Sequence, residues 1–317
     1  MIDISYEKNT EYYENLDASL NFLKDVHNSD EYEYPEEIVC FHTLMGQGVL
    51  HEPWLECIKS YLATQNLEKT KFILWTEEDD TDNELIQPYK EYIEMRVWDV
   101  HKEAMGTPLE NNEKLLTRDA KYYSQGDLFR ILVLYNYGGI WIDADSVFIN
   151  DFKPILDQEF VYQWGKVTNY AKEGMSGGVM SVKKGGEFAK KLIQQLVESP
   201  HVVHSDICWG NMLLRELWSK WPNNWTVFPS TFFNTEWSFP EWFKEQGFNN
   251  LAPQTQWFDE ELEHRENMFD NAPFSWHWHY SGEHAQKAIA TNTIAENSKF
   301  GLLRQRNDIK LKERGIL

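Results

Sequence analysis

Residues 124–150, SQGDLFRILVLYNYGGIWIDADSVFIN, restrict the fold more than any other stretch of this chain. Leu128, Ile131, Leu132 and Tyr135 recur at helical spacing. Ser124 is placed to cap the helix start, with Asp127 three residues on. Gly138 and Gly139 stop the helix, because glycine accepts the left-handed backbone of a C-terminal cap. Ile140, Trp141 and Ile142 form a short apolar run suited to a strand covered on both faces. Asp143 and Asp145 follow at once, and in an extended chain residues two apart point the same way. The stretch therefore predicts an α/β fold with two carboxylates at the C-terminal end of a buried strand, where open α/β sheets bind ligands.

Two hard oxygen donors in that position suit Mg2+ or Mn2+, and the small Ala144 between them leaves the approach clear. A divalent ion held by one or two carboxylates keeps open positions that phosphate oxygens usually fill, so the chemistry suggested is a metal-bound diphosphate. Taken alone, a D-x-D is equally a polar turn after a strand. The charge balance narrows the choice. With 30 Lys and Arg against 51 Asp and Glu, the net charge is −21. That excludes the basic surfaces that nucleic acids and anionic membranes attract, and it makes a metal the natural way to admit a nucleotide anion.

The longer pattern is more specific. S-x-x-D-x-x-R-x-x-x-L-x-x-x-GG-I-W-I-D-x-D, with Ser124, Asp127, Arg130, Leu134, Gly138, Gly139, Trp141, Asp143 and Asp145, resembles the sugar-binding D-x-D region of family 32 glycosyltransferases. Fungal initiating mannosyltransferases, α-1,4-galactosyl- and N-acetylglucosaminyltransferases, capsule-synthesis enzymes and large clostridial glucosylating toxins share this signature. The family usually has Tyr at the position of Trp141. The resemblance is concentrated in about 30 residues and stays collinear from Ile38 to Gly282. It implies a GT-A type nucleotide-sugar-binding fold, a mixed, mostly parallel sheet flanked by helices. It also implies a retaining transferase that moves a hexose or N-acetylhexosamine from a UDP-sugar, or from GDP-mannose, to a hydroxyl of a glycan or other acceptor.

The resemblance assigns roles residue by residue. Asp127, Arg130, Asp143 and Asp145 are the catalytic set, with Asp127 and Arg130 holding the donor sugar and phosphate. Asp145 coordinates Mn2+ or Mg2+ directly, and Asp143 contacts the sugar or ribose or joins the metal. His42, in the strand Glu37–Gly48, matches a family histidine beside the nucleotide, although Leu44 or Met45 replaces the usual Trp. Trp141 lies on the donor side. Gly177 and Gly178, in Met175–Val182, form the floor beneath the donor sugar, where small residues let backbone approach a ligand. The stretch Phe274–Gly282 is expected as a strand with His277 and His279 on one side and Trp276, Trp278 and Tyr280 on the other. His277 aligns with the family histidine and is the expected third metal ligand; Ser281 belongs to a loop over the diphosphate. Asp206, Trp209 and Trp237 are acceptor candidates. For His42, capping positions and the aromatics, packing roles compete with these assignments.

The rest of the chain sets bounds. Tyr12, Leu16, Leu20 and Leu23 predict an amphipathic helix over about 10–26. Residues 1–35 are expected as a helical extension and 36–317 as one domain ending in a helix. That last helix has a basic end: Lys299, Arg304, Arg306, Lys310, Lys312 and Arg314, read as a solvated face. Cys40, Cys57 and Cys208 are widely spaced, which suits a reducing compartment better than a disulfide framework. No stretch reaches the roughly 18–20 apolar residues that span a bilayer. No basic leader is visible. The expectation is a soluble cytoplasmic protein or a truncated chain. Two other readings compete: a metal-dependent phosphohydrolase using the same carboxylates, which would show a denser ligand set, and a glycan-binding module with a degenerate site, which the intact Asp127, Arg130, Asp143, Asp145 set argues against.

Overall fold

A computed structural model describes residues 15–46, 52–116, 122–163, 174–198, 211–222, 224–234, 273–280, 283–291 and 293–317, with residues 2, 11, 12 and 258. The strands are β1 (Val39–Met45), β2 (Thr70–Thr76), β3 (Ile93–Val97), β4 (Gly139–Ile142), β5 (Ser146–Phe148), β6 (Phe160–Gln163), β7 (Met175–Val182), β8 (Thr226–Phe228) and β9 (Ser275–His277). The main helices are α1 (Leu16–Asn28), α2 (Glu52–Thr64), α3 (Tyr122–Tyr137), α4 (Glu187–Glu198), α5 (Asn211–Lys220), α6 (Glu283–Thr291) and α7 (Lys299–Glu313). Seven strands form one sheet in the order β3-β2-β1-β4-β7-β6-β8, and β5 pairs with β9 in a second, two-stranded sheet. The pairs β3/β2, β2/β1, β1/β4 and β6/β8 are parallel, whereas β7 runs antiparallel to both β4 and β6. This is the mixed, mostly parallel, helix-flanked sheet expected of a GT-A type α/β protein.

Strand alternation distributes the large side chains to the two faces. Phe41 of β1 and Phe72 of β2 meet Tyr61 of α2, at ring-centroid distances of 5.6 and 4.9 Å. Their neighbours point the other way, and Trp75 packs on Phe129 of α3 at 5.1 Å. The chain leaves β1 towards β3 on one side and returns to β4 on the other side of β1. The C-terminal ends of β1 and β4 therefore flank a point where the strand order reverses, the usual site of ligand crevices in open sheets.

The organising stretch folds largely as its sequence indicates, with two differences. α3 begins at Tyr122, so Ser124 lies inside the helix and not at its cap. Its end is as expected: Gly138 has φ +68° and its amide bonds back to Leu134 O at 2.9 Å. Gly139 follows with φ +97°. A Cβ on Gly139 would lie 2.3 Å from Cys40 O, so the second glycine is needed for close approach of β1 as well as for its backbone angle. Secondly, β4 stops at Ile142, and Asp143–Ala144–Asp145 forms a turn into β5. The two carboxylates thus converge through a turn between two sheets, and not by strand alternation.

Outside the centre, α1 runs over Leu16–Asn28, capped by Asn15 Oδ1 accepting from Ala18 N at 3.2 Å. It packs through Phe22 on Phe232, with its His27 ring edge-on to Phe274. The C-terminal basic run is only partly a solvated face: Lys312 and Arg314 are exposed, and Lys299, Arg304, Arg306 and Lys310 are not. Arg304 pairs with Glu52 and lies 3.7 Å from the buried Glu56. Lys59 bridges Glu56 and Asp308 at 2.7 and 2.6 Å, and Asn307 donates to Glu56 at 2.9 Å. Arg314 donates to Leu62 O and Gln65 O, both at 2.8 Å, satisfying carbonyls at the end of α2 that the helix itself leaves open. Lys299 is buried with its ammonium 3.8 Å from the Trp276 ring centre. α7 is a strap that ties α2 to the second core.

The glycine turn generates a first prediction. Gly139→Ala should lower stability by about 2–4 kcal/mol, the sum of left-handed strain and a backbone clash. The readout is the midpoint of chemical denaturation at unchanged slope. A variant indistinguishable from wild type would show that β1 and β4 do not need this approach.

Candidate active site

The turn at 143–145 is clamped from both sides. On one side, Asp143 N donates to Gly178 O of β7 at 2.7 Å. On the other, Ser146 pairs with His277 in the β5/β9 ladder, which brings the His277 imidazole onto Asp145. The turn closes on itself through Ser146 N donating to Asp143 O at 2.9 Å. β9 is held in place from behind by Trp276 and Trp278, buried in a second apolar core with Val147, Phe258, Ala285, Phe300 and Leu303.

Asp145 is enclosed by one short segment. His277 Nε2 lies 2.9 Å from Oδ1, Tyr280 N donates to Oδ2 at 2.8 Å, and Trp278 N donates to the Asp145 carbonyl at 2.9 Å. Burial alone would raise the Asp145 pKa. The charge and hydrogen bond of His277, together with His279 and the Tyr280 amide, outweigh it and hold this carboxyl down at about 2. Asp143 behaves oppositely: burial raises it against the pull of Arg130, and repulsion from Asp145 adds to the rise.

Asp143 Oδ1 accepts from Arg130 Nη2 and Trp141 Nε1, both at 2.7 Å. The same Nη2 lies 2.9 Å from Asp127 Oδ1, as i,i+3 spacing on α3 allows. The Arg130 guanidinium sits 5.4 Å from the Trp141 ring centre. Burial pushes Asp127 up to about 6; Arg130 partly offsets this, and Asp143 adds to it.

These contacts redefine several sequence expectations. Arg130 is 7% exposed, and its Nη2 is committed to two carboxylates, so it holds Asp143 and Asp127 in place instead of presenting an open fork. Trp141 is 2% exposed and stands behind Asp143 as its donor, not on an open donor-binding face. Gly177 and Gly178 make room first for the protein's own charges. A Cβ on Gly177 would come 2.8 Å from Arg130 Nη1, and one on Gly178 would come 2.9 Å from Asp143 Oδ2. His42 is fully buried. Its Nδ1 accepts from Trp75 Nε1 at 3.3 Å, which leaves Nε2–H to donate to Gly138 O at 3.1 Å. Burial drives its pKa down to about 3, so it is a neutral structural histidine that fixes the glycine turn. Ser281, Asp206, Trp209 and Trp237 lie outside the described residues.

His277 and His279 do fall together, but not as neighbours along one strand. β9 ends at His277, and His279 has a left-handed backbone, φ +54°. Sequence reasoning missed Asn234, whose side-chain amide meets His279 Nε2 at 3.1 Å. It also missed Tyr280, which acts through its backbone. A backbone donor leaves no signal in residue type, and Asn234 lies amid the more conspicuous aromatics of its segment.

Asp143, Asp145 and His277 can each aim one ligand atom into a common space, all within 4.8 Å of one another. Their side chains keep 24%, 17% and 13% of their exposure, so the group is reachable from outside. Two carboxylates and an imidazole are a donor set that fits Mn2+ or Mg2+. Among the described residues no other such group of three occurs.

Comparison with known proteins agrees with this chemistry. Residues 52–162 match the family described as glycosyltransferase sugar-binding region containing DXD motif, a span that includes Asp127, Arg130, Trp141, Asp143 and Asp145 and ends before Gly177 and His277. No curated protein matches in a sequence search. Among solved structures the chain is similar to the PaToxG glycosyltransferase, with 12% identity, TM-score 0.46, 68% of this chain and 80% of that one covered. It is similar to the glycosyltransferase GlyE of Streptococcus pneumoniae TIGR4 in its apo form, at 11% identity, TM-score 0.48, and 88% and 63% coverage. The WbbM bifunctional glycosyltransferase gives 12%, 0.47, and 91% and 53%. The chain therefore spans less than two thirds of the GlyE and WbbM chains, and likeness at this level carries no inference. No helix among the described residues is long and apolar enough to cross a membrane. The D-x-D turn at the sheet's reversal point thus lies within residues 52–162, the span that matches the DXD-containing glycosyltransferase sugar-binding region.

Proposed function

We propose that the protein transfers a hexose or N-acetylhexosamine, with retention of the α linkage, from a nucleotide sugar to an acceptor hydroxyl, using Mn2+ or Mg2+ held by Asp143, Asp145 and His277. A UDP-sugar is the favoured donor and GDP-mannose the alternative. The observation that carries this reading is the convergence of those three side chains within 4.8 Å at the end of β4. The bound ion would neutralise the donor diphosphate and stabilise it as a leaving group. Asp145 is ionised throughout the neutral range, and the His277 hydrogen bond it now makes marks the edge that the ion would share. Arg130 keeps Asp143 oriented, and Asp127 reaches the same guanidinium from the helix side, leaving its other oxygen for a sugar hydroxyl. The retaining outcome and the choice of donors follow from the family resemblance. Cys40 and Cys57 are both free thiols, which fits a soluble protein of a reducing compartment such as the cytoplasm.

Turnover of a nucleotide sugar should require added Mn2+ or Mg2+. Asp145→Ala should abolish it while leaving the far-ultraviolet circular dichroism unchanged. A thermal-shift screen of UDP- and GDP-sugars with and without Mn2+ identifies the donor. Full activity in EDTA would overturn the metal reading.

Arg130→Lys replaces a planar group by a point charge that cannot hold Asp127 and Asp143 together. Loss of one charged hydrogen bond costs about 1.5–3 kcal/mol, equivalent to about ten- to a hundredfold in kcat/KM. Kinetics and melting temperature identical to wild type would remove Arg130 from the site.

Asp127→Asn tests the strain stored in the cluster. Asp127 has a folded pKa of about 6 against an ordinary 3.8, so the folded chain binds the proton more tightly. The stability from that preference is complete below the ordinary value and is lost as pH rises through about 6. The variant should therefore match wild type near pH 3.5 and exceed it at neutral pH, by up to about 3 kcal/mol, the free-energy equivalent of the shift. Urea denaturation at both pH values reads this, and a variant less stable at pH 7 would refute it.

A further inference from the structure

We propose that His279 and Asn234 are positioning residues that set the His277 imidazole and the Tyr280 amide on Asp145; this rests on the metal reading above.

The geometry starts from the backbone. In a continuous strand, residues 277 and 279 would stand about 6.6 Å apart, two rises of 3.3 Å. Their ring centroids are instead 4.0 Å apart with the planes inclined by 22°, a stacked pair. The change comes at His279 itself, which adopts φ +54°. A left-handed backbone is unfavourable for a residue with a Cβ, and such outliers persist where the surroundings over-determine them. The consequence here is specific. The bend after Trp278 turns the chain back, so that Tyr280 N reaches Asp145 Oδ2 while His277 Nε2 faces Oδ1. Without it, one segment could not contact both oxygens of one carboxylate.

The His279 side chain completes the arrangement. Its Nε2 meets the Asn234 amide, with Nδ2 at 3.1 Å and Oδ1 at 3.3 Å. Asn234 is itself buried, and its backbone N–H donates to Ser230 O at 2.6 Å. On the opposite side, the Trp278 ring is anchored in the second core, 5.2 Å from Trp54 and 5.6 Å from Phe258. The His277 ring is therefore backed by a ring that cannot slide. His279 does not belong to the group of three ligand atoms that converge, and its Nε2 is engaged elsewhere. Outer groups that orient a ligating histidine commonly alter metal affinity by about ten- to a hundredfold.

The test uses the full chain, stripped of metal, with Mn2+ alone as probe and no nucleotide sugar. Free Mn2+ is followed by electron paramagnetic resonance, and ligating nitrogen by its coupling in the pulsed experiment. His279→Gly keeps the backbone angle at no steric penalty but removes the ring. It should weaken Mn2+ binding by about ten- to a hundredfold and retain one coupled nitrogen. Its metal-free melting temperature is read alongside, and a fall in stability with Mn2+ affinity unchanged marks a merely structural role and overturns the proposal. Asn234→Ala should weaken binding in the same direction, and it serves as the second variant should the glycine chain fold poorly. His277→Ala should lose the nitrogen coupling altogether. Unchanged Mn2+ affinity in both His279→Gly and Asn234→Ala overturns the proposal. So does coupling that disappears in His279→Gly and survives in His277→Ala, since His279 would then be the ligand. A wild-type chain that binds no Mn2+ overturns the metal reading and this proposal together, whereas wild-type binding with unaffected variants overturns this proposal alone.

Discussion

The Arg130 guanidinium, lodged between Asp127 and Asp143, is the contact on which the centre depends. Three carboxylates gather within one partly buried region, and this is the cation that reaches two of them. Ionised carboxylates removed from water are costly unless paired and hydrogen-bonded. Asp127, which Arg130 reaches, is still pushed up to about 6 by burial, whereas Asp145, served by His277, His279 and the Tyr280 amide, is held at about 2. Much of the nearby sequence serves this contact. Gly177 yields space to Nη1, Trp141 lies beneath the guanidinium plane and shares the Asp143 oxygen, and Gly178 leaves room for the second Asp143 oxygen. Negative charge remains in excess in this cluster, and an ion carrying two positive charges is the simplest partner for it.

The two glycine pairs show how far residue type reveals conformation. Gly138-Gly139 was legible as a helix stop, and its angles agree. Its second purpose, close passage of the Cys40 carbonyl, was hidden because it depends on a strand about a hundred residues earlier. Gly177-Gly178 was legible as a place of close approach, but what approaches is side chains of this protein. Most strands and helices followed from periodicity, which reports burial directly. The D-x-D turn was legible by composition and misread in geometry: two residues apart can mean one side of a strand or the two shoulders of a turn, and only the β7 and β9 neighbours decide between them.

Histidines were least legible. His42, His277 and His279 are the same residue type in apolar surroundings. One hydrogen-bonds a carbonyl and an indole, one faces a carboxylate, and one backs the second. Periodicity cannot separate these, because the partners come from remote segments. The basic end of α7 failed for a related reason. Charge runs are usually solvated, yet here the acidic residues of α2 and its open carbonyls recruit the arginines inward. Local sequence carries no trace of such long-range pairing.

The pairing of β5 with β9 has a consequence for how the molecule comes into being. Asp145 and the amide of Tyr280 that grips it are separated by 135 positions. Contacts that close so long a loop form late, after the entropy of closure has been offset by other structure. On a ribosome, where the amino-terminal part emerges first, the sheet from β3 to β7 can assemble while the imidazole is still unmade. Nascent chains of this protein therefore pass through a stage with the carboxylate pair formed and no third ligand. Competence to hold an ion with three protein ligands arrives only once β9 has been made and has paired with β5.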